Sequence, residues 1–331
     1  MKIAFFSCHD YEKPFLEAAN ERGLHELTYL AEALSPETAR LAAGHEAVCV
    51  FVNDSLARPT LEQLAQLGIR LVALRCTGYN HVDVLAAKEL GLRVVRVPSY
   101  SPHAIAEHAV ALLLALNRKT HLAYQRTKEN NFTLDGLLGF DLYGKRVGVV
   151  GTGRIGGAFA RIMLGFGCHV MAYDKQRSAV LQQSGVEYLP LPDLLKRADV
   201  VSLHCPLTPE TYHLIGADAL AQIKPGAILI NTGRGGLVDS KAAIDALADG
   251  RLSALGMDVY ELEENVFFHD WSSRILPDPL LDRLTDLPNV LVTSHQGFFT
   301  REAMEQIART TLNNLAYVER QQLPADCVVV G

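Results

Sequence analysis

A histidine, a carboxylate and an arginine stand at the ends of apolar, strand-like runs in this chain: His295 in VTSHQGFF, Glu263 in GMDVYELEE and Arg234 in INTGRGG. An imidazole gives or takes a proton near neutral pH, and a carboxylate beside it orients the ring and stabilises its charged form. Arg234 lies between Gly233 and Gly235, which lets its guanidinium turn inward and hold a carboxylate through two parallel hydrogen bonds. Together the three could exchange a proton with the hydroxyl or carbonyl of a small acid while its carboxylate is held. Hydride transfer to or from a secondary alcohol needs that combination.

Each of the three has a plainer reading. The chain has 12 histidines, and His9, His25, His45, His121, His169, His213 and His269 sit in polar or surface-like contexts that suggest no chemistry. His103 and His108 are five apart on a helical pattern, and with no HExxH or CxxC present no metal site is expected. GxSxG is also absent, against an α/β-hydrolase. Taken alone, Glu263 is one of three acids with Glu261 and Glu264, and orienting and surface roles both remain open for it. His295 differs from the other histidines by its place at a strand end.

The elements that must bring these residues together form two series. KIAFF, reading as a strand over residues 2–7, then AVCVFV, RLVALR and RVVRV alternate with helical patterns before residue 100, the rhythm of a parallel sheet with crossover helices. Ser101-Pro102 then opens a helix to about Lys119 that is apolar nearly all round, and so is expected to be buried between domains or subunits. After Tyr143-Gly144-Lys145 a second series runs RVGVV, HVMAYD, ADVVSLHC, AILINT, LSALGMDVY and NVLVTSH, enough for a sheet of its own. The last helix pattern, about Thr300 to Gln322, has no new strand to cover before the closing CVVV and is expected to return to the first domain. In a doubly wound sheet the strand ends face the ligand crevice, so the polar residues after AILI, LSALGMDV and NVLVT would meet there.

Strand RVGVV runs directly into Gly151-Thr152-Gly153-Arg154-Ile155-Gly156 and a helical stretch, the context that turns a bare GxGxxG into a dinucleotide-binding pattern. Gly151 permits the tight turn, Gly153 lets a pyrophosphate approach the backbone, Gly156 allows close helix packing, and the helix N-terminus offers unpaired N–H groups. HVMAYD ends in Asp174, 18 residues past Gly156, where a carboxylate would accept bonds from the adenosine ribose and repel a 2′-phosphate. NAD is therefore favoured, although Lys175 and Arg177 leave NADP open. His204, at a strand end before Cys205-Pro206, is placed near cofactor rather than among the catalytic groups.

The bulk properties fit this picture. With 331 residues, 49% hydrophobic and 21% charged, the chain suits two medium soluble domains. A net charge of −6 with scattered Lys and Arg excludes a nucleic-acid or anionic-membrane surface, and the longest apolar run, Ala109 to Leu116, is far short of the roughly 20 residues that span a bilayer. The N-terminus turns polar too soon for a secretory signal. The six cysteines show no CxxC, so they read as reduced packing residues of a cytoplasmic protein.

With these residues assembled, the chain resembles the D-isomer-specific 2-hydroxyacid dehydrogenase family, and within it the fermentative D-lactate dehydrogenases, through GTGRIG, HCPLTPET, INTGRGGLVD, GMDVYELEE and SHQGFFT in the family's order. The resemblance covers essentially the whole chain. It implies an α/β fold of two doubly wound parallel-sheet domains: a Rossmann NAD domain over 100–298, and a smaller, discontinuous flavodoxin-like substrate domain over 1–99 and 299–331. It implies that Arg234 binds the substrate carboxylate and polarises its carbonyl, that His295 is the acid/base, and that Glu263 orients it. Arg75, Tyr100, Phe298 and the backbone of Thr77 and Gly78 become expected substrate contacts. Arg154, Ile155, Asp174, Cys205, Pro206, Thr211, Thr232, Gly233, Arg234 and Asp258 join Gly151, Gly153, Gly156 and His204 as expected cofactor contacts. The expected activity is reversible NADH-dependent reduction of pyruvate to D-lactate by a homodimer or dimer-based homotetramer with the helix from Ser101 in the dimer interface. The substrate expectation rests on ELEENVFFHDWSSRILPDPLL, which resembles the insertion of lactate enzymes. A larger 2-oxo acid, such as 2-oxoisocaproate or phenylpyruvate, is the alternative substrate. An NAD-sensing corepressor is the alternative of another class.

Overall fold

The computed structural model describes residues 1–319, 322 and 324–331. Its strands in chain order are β1 (Lys2–Phe5), β2 (Glu26–Tyr29), β3 (Ala47–Val50), β4 (Leu71–Leu74) and β5 (Arg93–Arg96), then β6 (Arg146–Val150), β7 (His169–Tyr173), β8 (Glu187–Tyr188), β9 (Val200–Leu203), β10 (Ala227–Asn231), β11 (Leu252–Met257) and β12 (Val290–Val292), and last β13 (Val328–Val330). They form two sheets, β13-β5-β4-β3-β1-β2 and β12-β11-β10-β9-β6-β7-β8. The chain divides into two compact units, Met1–Ser101 with Phe299–Gly331, and Pro102–Phe298.

In the first unit β1 to β5 are parallel, and their alternation sends Ala4, Val48, Val72 and Val94 to one face and Ile3, Cys49, Ala73 and Val95 to the other. Both sets are buried, as parallel strands covered on both faces require. Leu61 and Leu64 of the helix Arg58–Gln66 cover the first face. Ala308, Leu312 and Leu315 of the helix Arg301–Glu319 cover the second. The closing strand departs from the all-parallel expectation: β13 runs antiparallel to β5 at the edge of the sheet. β1 is also shorter than expected. Ser7 leaves it with φ +49, and its hydroxyl donates to Asp54 Oδ1 at 2.7 Å. Gln322 lies outside the last helix, and Arg320 and Gln321 fall outside the described residues.

In the second unit every strand pairing is parallel. The strand order reverses between β6 and β9, the switch point at which doubly wound sheets bind ligands. The helices Pro102–Arg118 and Arg154–Gly165 pack on one face through Ala109, Leu113, Phe159 and Met163, and the helix Ser240–Ala248 packs on the other through Ala243 and Ile244. No helix among the described residues is long and apolar enough to cross a membrane.

Candidate active site

Arg234, Glu263 and His295 follow the ends of three adjacent strands, β10, β11 and β12. The Arg234 loop is held from beneath, with Asn231 Nδ2 donating to Arg234 O at 2.9 Å and Gly233 N donating to Asn231 Oδ1 at 3.1 Å. Arg234 is half-buried, one Nη donates to Gly233 O at 2.7 Å, and among the described residues its guanidinium has no carboxylate partner. At Gly235 this loop comes so close to the turn after β11 that a Cβ would collide with the main chain of Tyr260 and Glu261. Glycine is therefore required here by close approach.

Glu263 occupies that turn. One carboxylate oxygen accepts from Tyr260 N at 2.9 Å, and the other lies 2.7 Å from His295 Nδ1. A carboxylate cannot donate, so Nδ1 carries the proton and the other ring nitrogen, Nε2, is left free to exchange one. No described residue bonds Nε2. His295 itself sits at φ +52, a conformation that a non-glycine residue holds only when its surroundings fix it. Asp258 supplies that constraint. Its main-chain oxygen accepts from His295 N at 2.7 Å, and its carboxylate accepts from Thr293 Oγ1 at 2.6 Å and from Gln296 N and Gly297 N at 2.8 Å each. His108 Nε2, from the helix Pro102–Arg118, lies 3.2 Å from the same carboxylate and 2.9 Å from Thr293 Oγ1. Burial pushes the Asp258 carboxyl up, but hydrogen bonds from His108 and Thr293 outweigh it and hold it below the ordinary carboxylate range. Asp258, expected among the cofactor contacts, thus uses its carboxylate to organise the His295 loop.

The glycine turn after β6 is shaped for a dinucleotide. Gly151 has φ +90, and a Cβ on it would lie 2.6 Å from Cys205 N. A Cβ on Gly156 would collide with Gly151 O, whereas one on Gly153 would meet nothing within 4 Å, leaving open space where a pyrophosphate would approach. Gly153 caps the helix Arg154–Gly165 without a side-chain bond, and Arg154 is exposed beside it with Ile155 half-buried. Asp174 Oδ2 accepts from Thr152 N at 2.6 Å and from Thr152 Oγ1 at 3.1 Å, and Oδ1 accepts from Gln176 N at 2.8 Å. Burial raises this carboxyl, and these donors more than reverse it, so it stays ionised. Thr232 Oγ1, at the end of β10, is buried with no partner among the described residues, as fits a polar group of a bound ligand. These features fit NAD.

Other expected contacts differ in kind. His204 turns its ring inward, with its centroid 4.9 Å from that of Phe159 and Nε2 2.9 Å from Ser202 Oγ. Burial pushes the half-buried Cys205 thiol up to about 11, which keeps it a neutral packing group. Thr211 Oγ1 donates to Pro206 O at 2.7 Å and closes the turn after β9.

In the first unit Arg75 corrects its assignment as a substrate contact. It is 1% exposed, its Nε donates to Glu12 Oε1 at 2.7 Å, and one terminal nitrogen donates to Phe6 O and Ser7 O at 2.8 Å each. A buried guanidinium engaged this way has no edge left for a ligand. Arg96 donates to Thr77 O at 3.0 Å, and the Cys76 thiol lies 3.2 Å from Gly78 O, while the N–H groups of Thr77 and Gly78 are unengaged among the described residues. Tyr100 is half-buried in the same unit, and Phe298 is buried in the other. Sequence reasoning missed His108. A polar residue within a largely apolar helix was its only signal.

Residues 110–297 match the pattern of the D-isomer specific 2-hydroxyacid dehydrogenase NAD binding domain. The chain is 51% identical over 320 residues to a D-lactate dehydrogenase of Escherichia coli (strain K12), covering 97% of each. The apo-structure of D-lactate dehydrogenase from Escherichia coli matches with a TM-score of 0.91 at 48% identity, covering 100% of both chains. D-Lactate dehydrogenase from Aquifex aeolicus complexed with NAD and lactic acid matches with a TM-score of 0.88 at 32% identity over 99% of each chain.

Proposed function

The chain belongs to the D-isomer specific 2-hydroxyacid dehydrogenase family and is an NAD-dependent D-2-hydroxyacid dehydrogenase; from that premise we propose that its reaction is the reversible reduction of pyruvate to D-lactate. The observation that carries the chemistry is the 2.7 Å bond between Glu263 and His295 Nδ1, which leaves the other ring nitrogen as the proton donor. Bound NADH supplies the hydride. Arg234, without a carboxylate partner of its own, holds the substrate carboxylate and draws electron density from the carbonyl. His295 delivers a proton from Nε2 to the carbonyl oxygen, and Glu263 stabilises the imidazolium before transfer. Asp174, the glycines Gly151, Gly153 and Gly156, and Thr232 hold the dinucleotide.

Support for pyruvate comes from the 51% identity to a D-lactate dehydrogenase over 97% of the chain. Trp271 Nε1 donates to Val266 O at 3.0 Å, Tyr260 Oη donates to Asp278 at 2.9 Å, and Phe268 is held with its ring centroid 6.4 Å from that of His295. These contacts order the segment after Glu263 and set one ring, Phe268, beside the proton donor. The assay is NADH oxidation with pyruvate, glyoxylate, hydroxypyruvate, 2-oxobutyrate, 2-oxoisocaproate and phenylpyruvate, with the configuration of the product determined. Pyruvate should give the highest kcat/KM and a D product. A preference for the branched or aromatic acid would overturn the substrate assignment.

The working form is a homo-oligomer, a dimer or dimer-based tetramer. Supporting this, the helix Thr120–Lys128 has no buried residue, and Phe132, Leu134 and Leu138 after it are 72%, 81% and 88% exposed. Six free cysteines support a cytoplasmic location.

A further inference from the structure

Three donors from two other segments converge on the carboxylate of Glu261, two residues before Glu263. His213 Nε2 lies 2.5 Å and Tyr212 Oη 3.1 Å from its Oε1, and Ser240 Oγ lies 3.3 Å from its Oε2. The rings of Tyr212 and His213 stack with centroids 4.0 Å apart, and His213 holds φ +50. The Tyr212 ring is exposed, but the backbone that carries it and His213 is fixed. His213 N donates to Gly236 O at 2.8 Å, Ile215 N to Leu237 O at 3.0 Å, and Asp239 N to Ile215 O at 3.1 Å, which fastens this segment to the chain just after Arg234. Ser240 is buried and opens the helix Ser240–Ala248.

Glu261 and Glu263 leave the same short turn for different partners. Glu263 reaches His295 and Tyr260 N, whereas Glu261 reaches the frame formed by Tyr212, His213 and Ser240. Beside them, Gly235 presses against Tyr260 and Glu261 too closely to allow a Cβ. A turn with no ladder partners is located by its side-chain anchors, and a carboxylate accepting three bonds is a strong one. We infer that Glu261 is a positioning residue: by tying the turn to Tyr212, His213 and Ser240 it sets where the Glu263 carboxylate meets His295. The inference rests on the reading of Glu263 and His295 as the acid/base pair. It gives His213 and Tyr212 a role in catalysis exerted through Glu261, without contact with substrate.

The test is a mutant cycle on the full-length enzyme with pyruvate and NADH. Glu261→Ala should lower kcat about tenfold while KM for pyruvate and the NADH dissociation constant stay within about twofold, because Arg234 and the glycine turn are untouched. Glu261→Gln, whose amide oxygen can still accept from Tyr212 and His213 while its NH2 faces Ser240 Oγ, should recover most of the loss. In a Glu263→Gln background the Ala substitution should cost less than about twofold, since the group being positioned is already gone. Equal losses in both backgrounds, an unchanged kcat, or a loss appearing only in KM would overturn the inference. If the Ala variant does not fold, Tyr212→Phe removes one donor and should lower kcat by about two- to fourfold in the parent and leave the Glu263→Gln enzyme unchanged; an effect of equal size in both would count against the inference. His295→Gln is assayed in parallel. Retained activity there would defeat the acid/base reading itself, a result distinct from additivity at Glu261.

Discussion

Replacing Glu263 by Gln removes one charge at nearly constant size, and the local geometry sets the cost. The parent carboxylate accepts at both oxygens, from Tyr260 N at 2.9 Å and from His295 Nδ1 at 2.7 Å. An amide has one acceptor and one donor end, so either orientation loses a bond. With its oxygen toward His295, the NH2 faces the Tyr260 N–H. With its oxygen toward Tyr260, the NH2 faces Nδ1, drives the ring proton to Nε2, and leaves a neutral imidazole as a poor acid. Both side chains are less than a fifth exposed, at 19% and 18%, so water replaces the lost bond incompletely. A hydrogen bond to a charged group contributes about 1.5–3 kcal/mol, which predicts a fall in kcat of about 10- to 150-fold. The assay is rapid-mixing single turnover of the enzyme–NADH complex with saturating pyruvate, repeated with 4-deuterated NADH to verify that hydride transfer is the step observed. NADH affinity, measured by its fluorescence, should not change. A single-turnover rate within about threefold of the parent, or a loss explained by weaker NADH binding, would refute the argument that the carboxylate stabilises the imidazolium.

Two further outcomes concern the nucleotide domain. Asp174→Ala should narrow the preference for NADH over NADPH by about tenfold or more, because an ionised carboxylate facing a 2′-phosphate costs several kcal/mol; steady-state kcat/KM with each cofactor measures it, and an unmodified enzyme that works better with NADPH would contradict it. His204 should make the parent acid-sensitive: its ring is enclosed, Nδ1 is buried without a partner among the described residues, and burial pushes it from 6.5 down to about 3. The unfolded chain therefore takes up that proton first as pH falls below 6.5, and stability is lost from there down toward pH 3. At about one pH unit below 6.5 the loss is about 1.4 kcal/mol, roughly 3–5 °C in Tm for a domain of this size, and His204→Asn should lack this component in calorimetry across the same pH range. Parallel Tm-versus-pH curves for the two proteins would show that the ring is not held neutral by burial.

Much of the site was legible in the chain because its chemistry is local. Strand, glycine turn and helix are contiguous around Gly151, so RVGVV-GTGRIG could be read without knowing what lies across the sheet. Arg234, Glu263 and His295 could be found because each follows an apolar run that had to be a strand. The strands that escaped notice were β2 and β8, short edge strands with few β-branched residues. Their pairing comes from a neighbour rather than from their own pattern, so they carry little periodic signal. The antiparallel direction of β13 was equally hidden, since CVVV reads the same in either sense.

By itself, then, the sequence determined the class of element at each place, the order of those elements, and the residue types at the strand ends, because backbone conformation and binary patterning act over a few residues. Tertiary structure decided how those residues are used. Arg75 has the chemistry of a substrate ligand, but Glu12 lies 63 residues away and takes its guanidinium into the core. Asp258, expected as a cofactor contact, is also surrounded by His108, Thr293, Gln296 and Gly297, which makes it the support of the His295 loop. Glu261 and Glu263 are indistinguishable as letters in ELEE, and they differ because a turn after a buried strand sends one toward His295 and the other toward His213. A side chain's role is set by which donors and acceptors lie within hydrogen-bond reach of it, and for these residues the partners come from segments far away in sequence.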